Sequence, residues 1–208
     1  MKKYILIIVT LFIVSCNTNK KIQLTQLEDK KVEIFFIDYG DTQQCSIYLR
    51  KKIKLKNPYL WFAKMRMYYS VDRDIIEDIR SYPMDYGEDG NLYFIATEGV
   101  ELWGGEIEIR PLSEREIIYE INLFKDFFQF TGIYKSLEQY VPLAKHPLEE
   151  NGLTGEKYEN KRVLRYEESF SEFKRKNPAL VDSLTKSSSF KLEVLSPVKA
   201  RYRYDAKW

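Results

Sequence analysis

Two residues stand out as candidate chemistry because each is nearly alone of its kind. Cys45 shares the chain with one other cysteine, Cys16 near the N-terminus, and His146 is the single histidine. A thiol with an imidazole base is the minimal pair for nucleophilic catalysis. Their surroundings argue against that use. Cys45 falls in phase with Ile47 and Leu49, which puts it on the apolar side of a strand, where cysteine acts as a small hydrophobe. His146 precedes Pro147 in a loop-like stretch. One imidazole and one remaining thiol also fall short of the three or four ligands that zinc takes. The stretch Asp85-Tyr86-Gly87-Glu88-Asp89-Gly90 has the acidity of a calcium loop. An EF-hand, however, needs Asp or Asn at its third place and Glu at its twelfth, and this chain has Gly87 and Ala96 there. Asp89-Gly90 reads instead as a hairpin turn.

Carboxylates are plentiful: Glu98, Glu101, Glu106, Glu108, Glu114, Glu116 and Glu120. A glycosidase needs only two, about 5–9 Å apart, and spacing along the chain singles out no such pair. Glu106 and Glu108 alternate with Ile107 and Ile109, as on a solvated sheet face, and that face is suited to pair with the basic series Arg50, Lys52, Lys54 and Lys56. There is no G-x-S-x-G elbow, Walker loop or Rossmann glycine fingerprint. The sequence therefore assigns no catalytic residue, no metal ligand and no cofactor.

The elements that would position these groups are mostly strands. Val32, Ile34 and Phe36 alternate, and so do Cys45, Ile47, Leu49, Ile53 and Leu55 against Ser46, Tyr48, Arg50, Lys52, Lys54 and Lys56. Lys51 interrupts the second apolar series, as at a bulge, a sheet edge or a strand end. Further alternating sets begin at Trp61, Leu92, Trp103, Ile117, Phe190 and Val198, and a strand is expected from Gly132 to near Pro142. Helical spacing is expected over Asp72–Tyr82, ahead of Pro83, and over Glu167–Lys176 with Phe170 and Phe173 on one side. Asn177-Pro178 reads as an N-cap and first helical residue opening Ala179–Leu184. Short strands with Gly and Pro punctuation, and no long helix between them, predict a mainly-β antiparallel sandwich with short helices in a C-terminal extension, with α+β as the alternative. Leu112-Ser113-Glu114 through Leu123, then Gly132-Ile133-Tyr134, resembles the late strands of immunoglobulin-like envelope domains. The resemblance implies a tyrosine-corner role for Tyr134. Three tyrosines, Tyr48, Tyr68 and Tyr93, fall on outward positions and are the candidate binding surface.

The N-terminus carries the most specific signal. Met1-Lys2-Lys3 is followed by an apolar run from Tyr4 to Val14, broken only by Thr10. A basic start and a short apolar core describe a secretory signal, too short for the roughly 20 residues of a spanning helix. The run ends Ile13-Val14-Ser15-Cys16, which resembles the lipobox of bacterial lipoproteins. That resemblance implies cleavage before Cys16 and diacylglycerol on its sulfur, with N-acylation of palmitate type. The chain would then be a membrane protein of the cell envelope. Asn17, where Asp marks inner-membrane retention in that family, points to the outer membrane facing the periplasm.

Removing residues 1–15 takes away Lys2 and Lys3 and no acid, so 33 basic and 31 acidic residues become 31 and 31. A neutral, exported chain is not a nucleic-acid binder. With Cys16 acylated, Cys45 has no intramolecular disulfide partner. The expected organisation is a signal peptide over 1–15, a lipidated tether over 16–30, a sandwich over 31–144, and a loop, helices and strands over 145–208 packed on it. The function read from this is a lipid-anchored, non-enzymatic module that binds a protein or glycan, of which immunity and inhibitor lipoproteins are one version by analogy. The alternative is an envelope hydrolase using carboxylates or Cys45.

Overall fold

The computed structural model describes residues 20–38, 43–71, 78–95, 105–126, 137–145 and 162–208. Among the described residues, ten strands run in chain order: β1 Gln23–Asp38, β2 Gln43–Lys56, β3 Ala63–Ser70, β4 Asp78–Tyr86, β5 Leu92–Phe94, β6 Ile107–Ile109, β7 Glu114–Asp126, β8 Arg162–Ser169, β9 Ser189–Ser196 and β10 Ala200–Asp205. Two short helices, α1 Phe170–Lys176 and α2 Pro178–Thr185, lie between β8 and β9, and a 3-10 turn covers Glu138–Leu143. The strands form a six-stranded sheet ordered β5-β4-β7-β2-β1-β8 and a four-stranded sheet ordered β10-β9-β3-β6. Every pairing is antiparallel. The protein is thus mainly β with short C-terminal helices.

Alternation decides which face meets which. Val32, Ile34 and Phe36 of β1, Cys45, Ile47, Leu49, Ile53 and Leu55 of β2, and Ile117, Tyr119, Ile121 and Leu123 of β7 share the inner face of the large sheet. They join one core with Met65 and Met67 of β3 and Phe190, Leu192 and Val194 of β9. Burying each such side chain stabilises the fold by about 1.5–3 kcal/mol. Tyr119 crosses the gap. Its hydroxyl donates to the Met67 carbonyl at 2.8 Å and lies 2.9 Å from Ser81 Oγ, which satisfies a polar group that would be costly to bury alone.

Several expectations are corrected. Residues 78–82 are strand, not helix. Pro83 sits inside β4, and its carbonyl accepts from Ile95 N–H beyond the sheet edge. In an antiparallel strand both polar groups of a residue point the same way, so the missing N–H of Pro83 takes nothing from the β7 ladder. The strand expected to end near Pro142 is a 3-10 turn there, because Pro142 has no N–H to give a ladder. Glu167 and Glu168 belong to β8, and α1 starts only at Phe170, where Ser169 Oγ accepts from Glu172 N–H. Pro178 does open α2, but the Asn177 side chain does not cap it. Its amide donates instead to the Tyr140 hydroxyl and the Phe173 carbonyl.

β1 begins at Gln23, so residues 23–30 of the segment expected as a tether over 16–30 are strand. Within 145–208, expected to pack on the sandwich, β8 extends the large sheet, and β9 and β10 are half of the small one. The expected signal peptide over 1–15, Cys16, Ile75 and Ile76, Trp103, Gly132, Tyr134 and His146 lie outside the described residues.

Lys51 is the most informative correction. β2 alternates straight through it, so Lys51 points inward. The irregularity is in β1, whose register against β2 slips once between Gln26 and Asp29 and again between Asp29 and Val32. One extra residue flips the phase of a strand and a second restores it. Between the two slips Asp29 is paired opposite Lys51, and the two side chains form an ion pair. The lysine also donates to the Lys207 carbonyl and sits 4.7 Å from the centroid of the Trp208 ring. That ring stacks near Phe170 and Tyr69, and its N–H donates to Ser188 Oγ at 3.1 Å.

Candidate functional site

The outer face of the large sheet carries charge where water is scarce. Alternation places Lys31, Glu33 and Phe35 of β1, Ser46, Tyr48 and Arg50 of β2, Ile118, Glu120 and Asn122 of β7, and Arg165 and Glu167 of β8 on this face. Register does the rest. Arg50 is opposite Glu120, and Glu33 lies one strand away, opposite Tyr48. Arg50 donates to Glu33 Oε1 at 2.5 Å and to Glu120 Oε2 at 2.7 Å. Arg165 reaches Glu33 at 3.2 Å and Glu167 at 2.8 Å, and Lys31 reaches Glu33 at 3.0 Å and Glu167 at 2.6 Å. Three cations thus face three carboxylates in one connected network.

Burial pushes the Glu120 carboxyl above the usual range, and Arg50 pulls it part of the way back. Burial also works against the Arg50 charge, but Glu120 and Glu33 more than offset it and hold the guanidinium proton more firmly than usual. At the rim the sign reverses: a hydrogen bond from Lys31 holds Glu167 below the usual range. Farther along β2 the ladder continues as exposed pairs. Lys52 meets Glu116 at 2.5 Å, while Lys54 and Lys56 meet Glu114 at 3.4 and 3.2 Å. Water and salt screen such surface pairs, so they contribute little to stability. The basic series therefore pairs with β7. Glu106 and Glu108 pair elsewhere, with Arg66 at 2.7 Å and Lys64 at 3.4 Å, because β6 borders β3 in the other sheet.

Beside the network lies a depression of about 210 Å³, lined by Lys30, Lys31, Arg50, Tyr86, Leu92 and Ile118. One wall is cationic and the other is apolar. The apolar side continues through the edge-to-face pair of Tyr82 and Phe94, 5.1 Å between centroids.

The candidate residues do not converge here. Cys45 is buried on the inner face, away from the depression. Tyr48 is on the outer face, against Phe35 at 5.1 Å. Tyr68 is exposed on the other sheet. Tyr93 is at the β4–β5 hairpin, where its hydroxyl donates to Asp89 Oδ2 at 2.6 Å. Its ring lies against Gly87, where an added Cβ would come within 2.6 Å of it. Tyr93 has a turn to hold. Asp85 pairs with Arg115 of β7 at 2.7 Å, and Asp89 accepts from Asn91 N–H and the Tyr93 hydroxyl within the hairpin, so both acids serve the sheet. Glu33 and Glu120 are the carboxylates that the fold couples most tightly, through Arg50, yet each is only 3% exposed. Among the described residues, no group of three or more His, Cys, Asp or Glu is placed to hold a metal ion. No family model matches the chain, and no curated protein or solved structure is significantly similar to it.

The network was missed in the sequence although one signal was present. Arg50 and Glu120 each occupy an outward place in a clean alternation. Only pairing between β2 and β7, set across 70 residues of chain, brings them together.

Proposed function

We propose that this protein is a bacterial envelope lipoprotein, acylated at Cys16 and facing the periplasm from the outer membrane, that binds a protein or glycan partner and catalyses no reaction. The observation that carries the binding reading is the depression on the large sheet. It sets Lys30, Lys31 and Arg50, each also paired with a carboxylate, on one side and Tyr86, Leu92 and Ile118 on the other. A partner with an acidic group next to an apolar or ring surface matches that division. The paired charges beneath make the face rigid, which favours binding by limiting the ordering cost.

The strand order supports an immunoglobulin-like sandwich as the frame. Read in chain order, β1-β2-β7-β4 and β3-β9-β10 correspond to the A-B-E-D and C-F-G sheets of the seven-stranded type. β8, β5 and β6 are then added edge strands, and residues 127–188 form a long insertion between E and F. On this reading the strand matching F is β9, well beyond Tyr134. Binding modules on this frame are an analogy of fold, which supports the reading without carrying it.

A photo-crosslinking residue placed at Leu92, beside the depression, tests the proposal in cells that make the lipoprotein. A discrete adduct is expected there, lost on Lys30→Glu, with no such adduct from the same probe at Arg203 on β10. Equal adducts at both places would contradict a site on this face. Release of soluble fragments from envelope polymer by the purified protein, abolished by Glu120→Gln, would favour the hydrolase reading instead.

A further inference from the structure

One end of the molecule is apolar on its outside and is also the end from which the tether leaves. Gln23 of β1 pairs with Lys56 at the end of β2, and Lys56 pairs with Glu114 at the start of β7. Ala63 at the start of β3 pairs with Ile109 at the end of β6, and Lys64 pairs with Ser196 at the end of β9. The β2–β3, β6–β7 and β9–β10 connections therefore gather at this end. They carry Leu60, Trp61, Phe62, Leu112 and Val198, all exposed. Trp61 shows 52% of its surface although the alternation with Ala63 and Met65 assigns it inward.

Trp61 is held out by its backbone. The buried Asn57 amide donates to the carbonyls of Trp61, Ile109 and Arg110 at 2.7, 3.1 and 3.0 Å, and its Oδ1 accepts from Tyr59 N–H at 2.9 Å. Leu112 N–H donates to the Tyr59 carbonyl at 3.0 Å. Two loops are thus locked together with three successive large apolar side chains outward. Folding normally hides such a run, and its exposure marks a contact surface.

The same end of the fold holds the first described residues. The Tyr59 hydroxyl donates to the Lys20 carbonyl at 2.7 Å, and the Tyr204 hydroxyl donates to the Ile22 carbonyl at 3.1 Å. Cys16 is four residues before Lys20, a reach of at most about 14 Å for extended chain. Acyl chains on Cys16 would keep this end within that distance of the bilayer surface. We infer that Leu60, Trp61, Phe62, Leu112 and Val198 rest in the membrane interface as a second, protein-borne anchor that sets the protein upright on the bilayer. Tryptophan suits that zone, with an apolar ring and one N–H for the headgroup region. The exposed cations Lys20, Lys21, Arg110 and Lys199 border the patch and fit anionic headgroups. The outer faces of both sheets, including the depression, would then stand along the sides of the upright molecule, open to the periplasm.

This inference rests on the acylation of Cys16, and its test separates the two. The full lipoprotein is reconstituted into phosphatidylcholine–phosphatidylglycerol vesicles with acyl chains brominated near the headgroup. The Cys16 peptide from the same preparation is weighed by mass spectrometry. Quenching of tryptophan emission is expected, and the quenched component should be missing in Trp61→Phe. An acylated Cys16 with no quenching of Trp61 would overturn the inference and leave the lipoprotein reading standing. An unmodified Cys16 with Trp61 still quenched would uphold membrane docking of this end and overturn the anchor. If Cys16→Ser protein instead sediments as a dimer that Trp61→Ser dissociates, this end meets a second copy and the bilayer assignment fails.

Discussion

Arg50→Met is expected to lose about 3–5 kcal/mol of folding stability at neutral pH, the cost of removing one partner from a buried ion pair. Arg50 bonds Glu120 through two of its nitrogens and also holds Glu33. Its removal leaves two nearly buried carboxylates near each other without it. The loss should depend on pH with a definite sign. Burial already raises the Glu120 pKa, and the variant removes the charge that pulled it down. A raised folded pKa means that the folded protein keeps a proton which the unfolded chain has released. Stability then falls as pH rises through the window from about 4.3, the unfolded value, up to the folded one. The variant widens that window, so its deficit should shrink on acidification from pH 7 toward about 4.3. Glu167, held low by Lys31, works in the opposite direction and only below the usual range. Urea unfolding of both proteins between pH 4.5 and 8 measures this. A deficit that stays constant or grows on acidification would show that the carboxylates are not the source of the loss.

The second large effect is at the double register slip. Asp29→Ala is expected to cost about 3–5 kcal/mol, because it leaves Lys51 inside the protein without its carboxylate. Lys51 is 2% exposed, whereas Asp29 is 20% exposed and can take up water. Lys51→Met, which keeps the length and apolar stem of the side chain, should therefore cost about 1 kcal/mol or less by the same reasoning. The comparison is made by urea denaturation of the two variants side by side. If Lys51→Met were the more damaging, the lysine would be valuable in its own right, through the Lys207 carbonyl and the Trp208 ring, and the pairing argument would be wrong.

The sequence was most readable where one face of a strand is buried and the other wet. The series through Cys45, Ile117 and Phe190 gave β2, β7 and β9, with the side of each residue correct. Hairpin chemistry at Asp89-Gly90 was equally plain, since Gly90 takes a φ of 77°. Reading failed where tertiary pairing overrode local spacing. Residues 78–82 join a sheet because β7 is there to receive them. Lys51 looked like a break in β2 because the irregularity that explains it lies in β1, some 20 residues earlier. Trp61 had the phase of a core residue, but the Asn57 side chain, three carbonyls in its reach, ended the alternation before it. The candidate site was harder still. Each of its charges looked like an ordinary solvated face, and only the order of strands in the sheet turns them into one buried network. Tyr48, Tyr68 and Tyr93 were expected on outward positions as a binding surface, yet outwardness along a strand does not say which of several outer surfaces a residue occupies.

The proposed acylation of Cys16 would set the compartment, leave Cys45 without a disulfide partner and bring the Trp61 end to the bilayer. Growth with an alkyne-tagged palmitate analogue, followed by purification and fluorescent coupling, tests it directly. Label is expected on the wild-type protein, which should sediment with membranes, and is expected to be absent from Cys16→Ser. Equal labelling of the two proteins, or no label on either, would contradict the account.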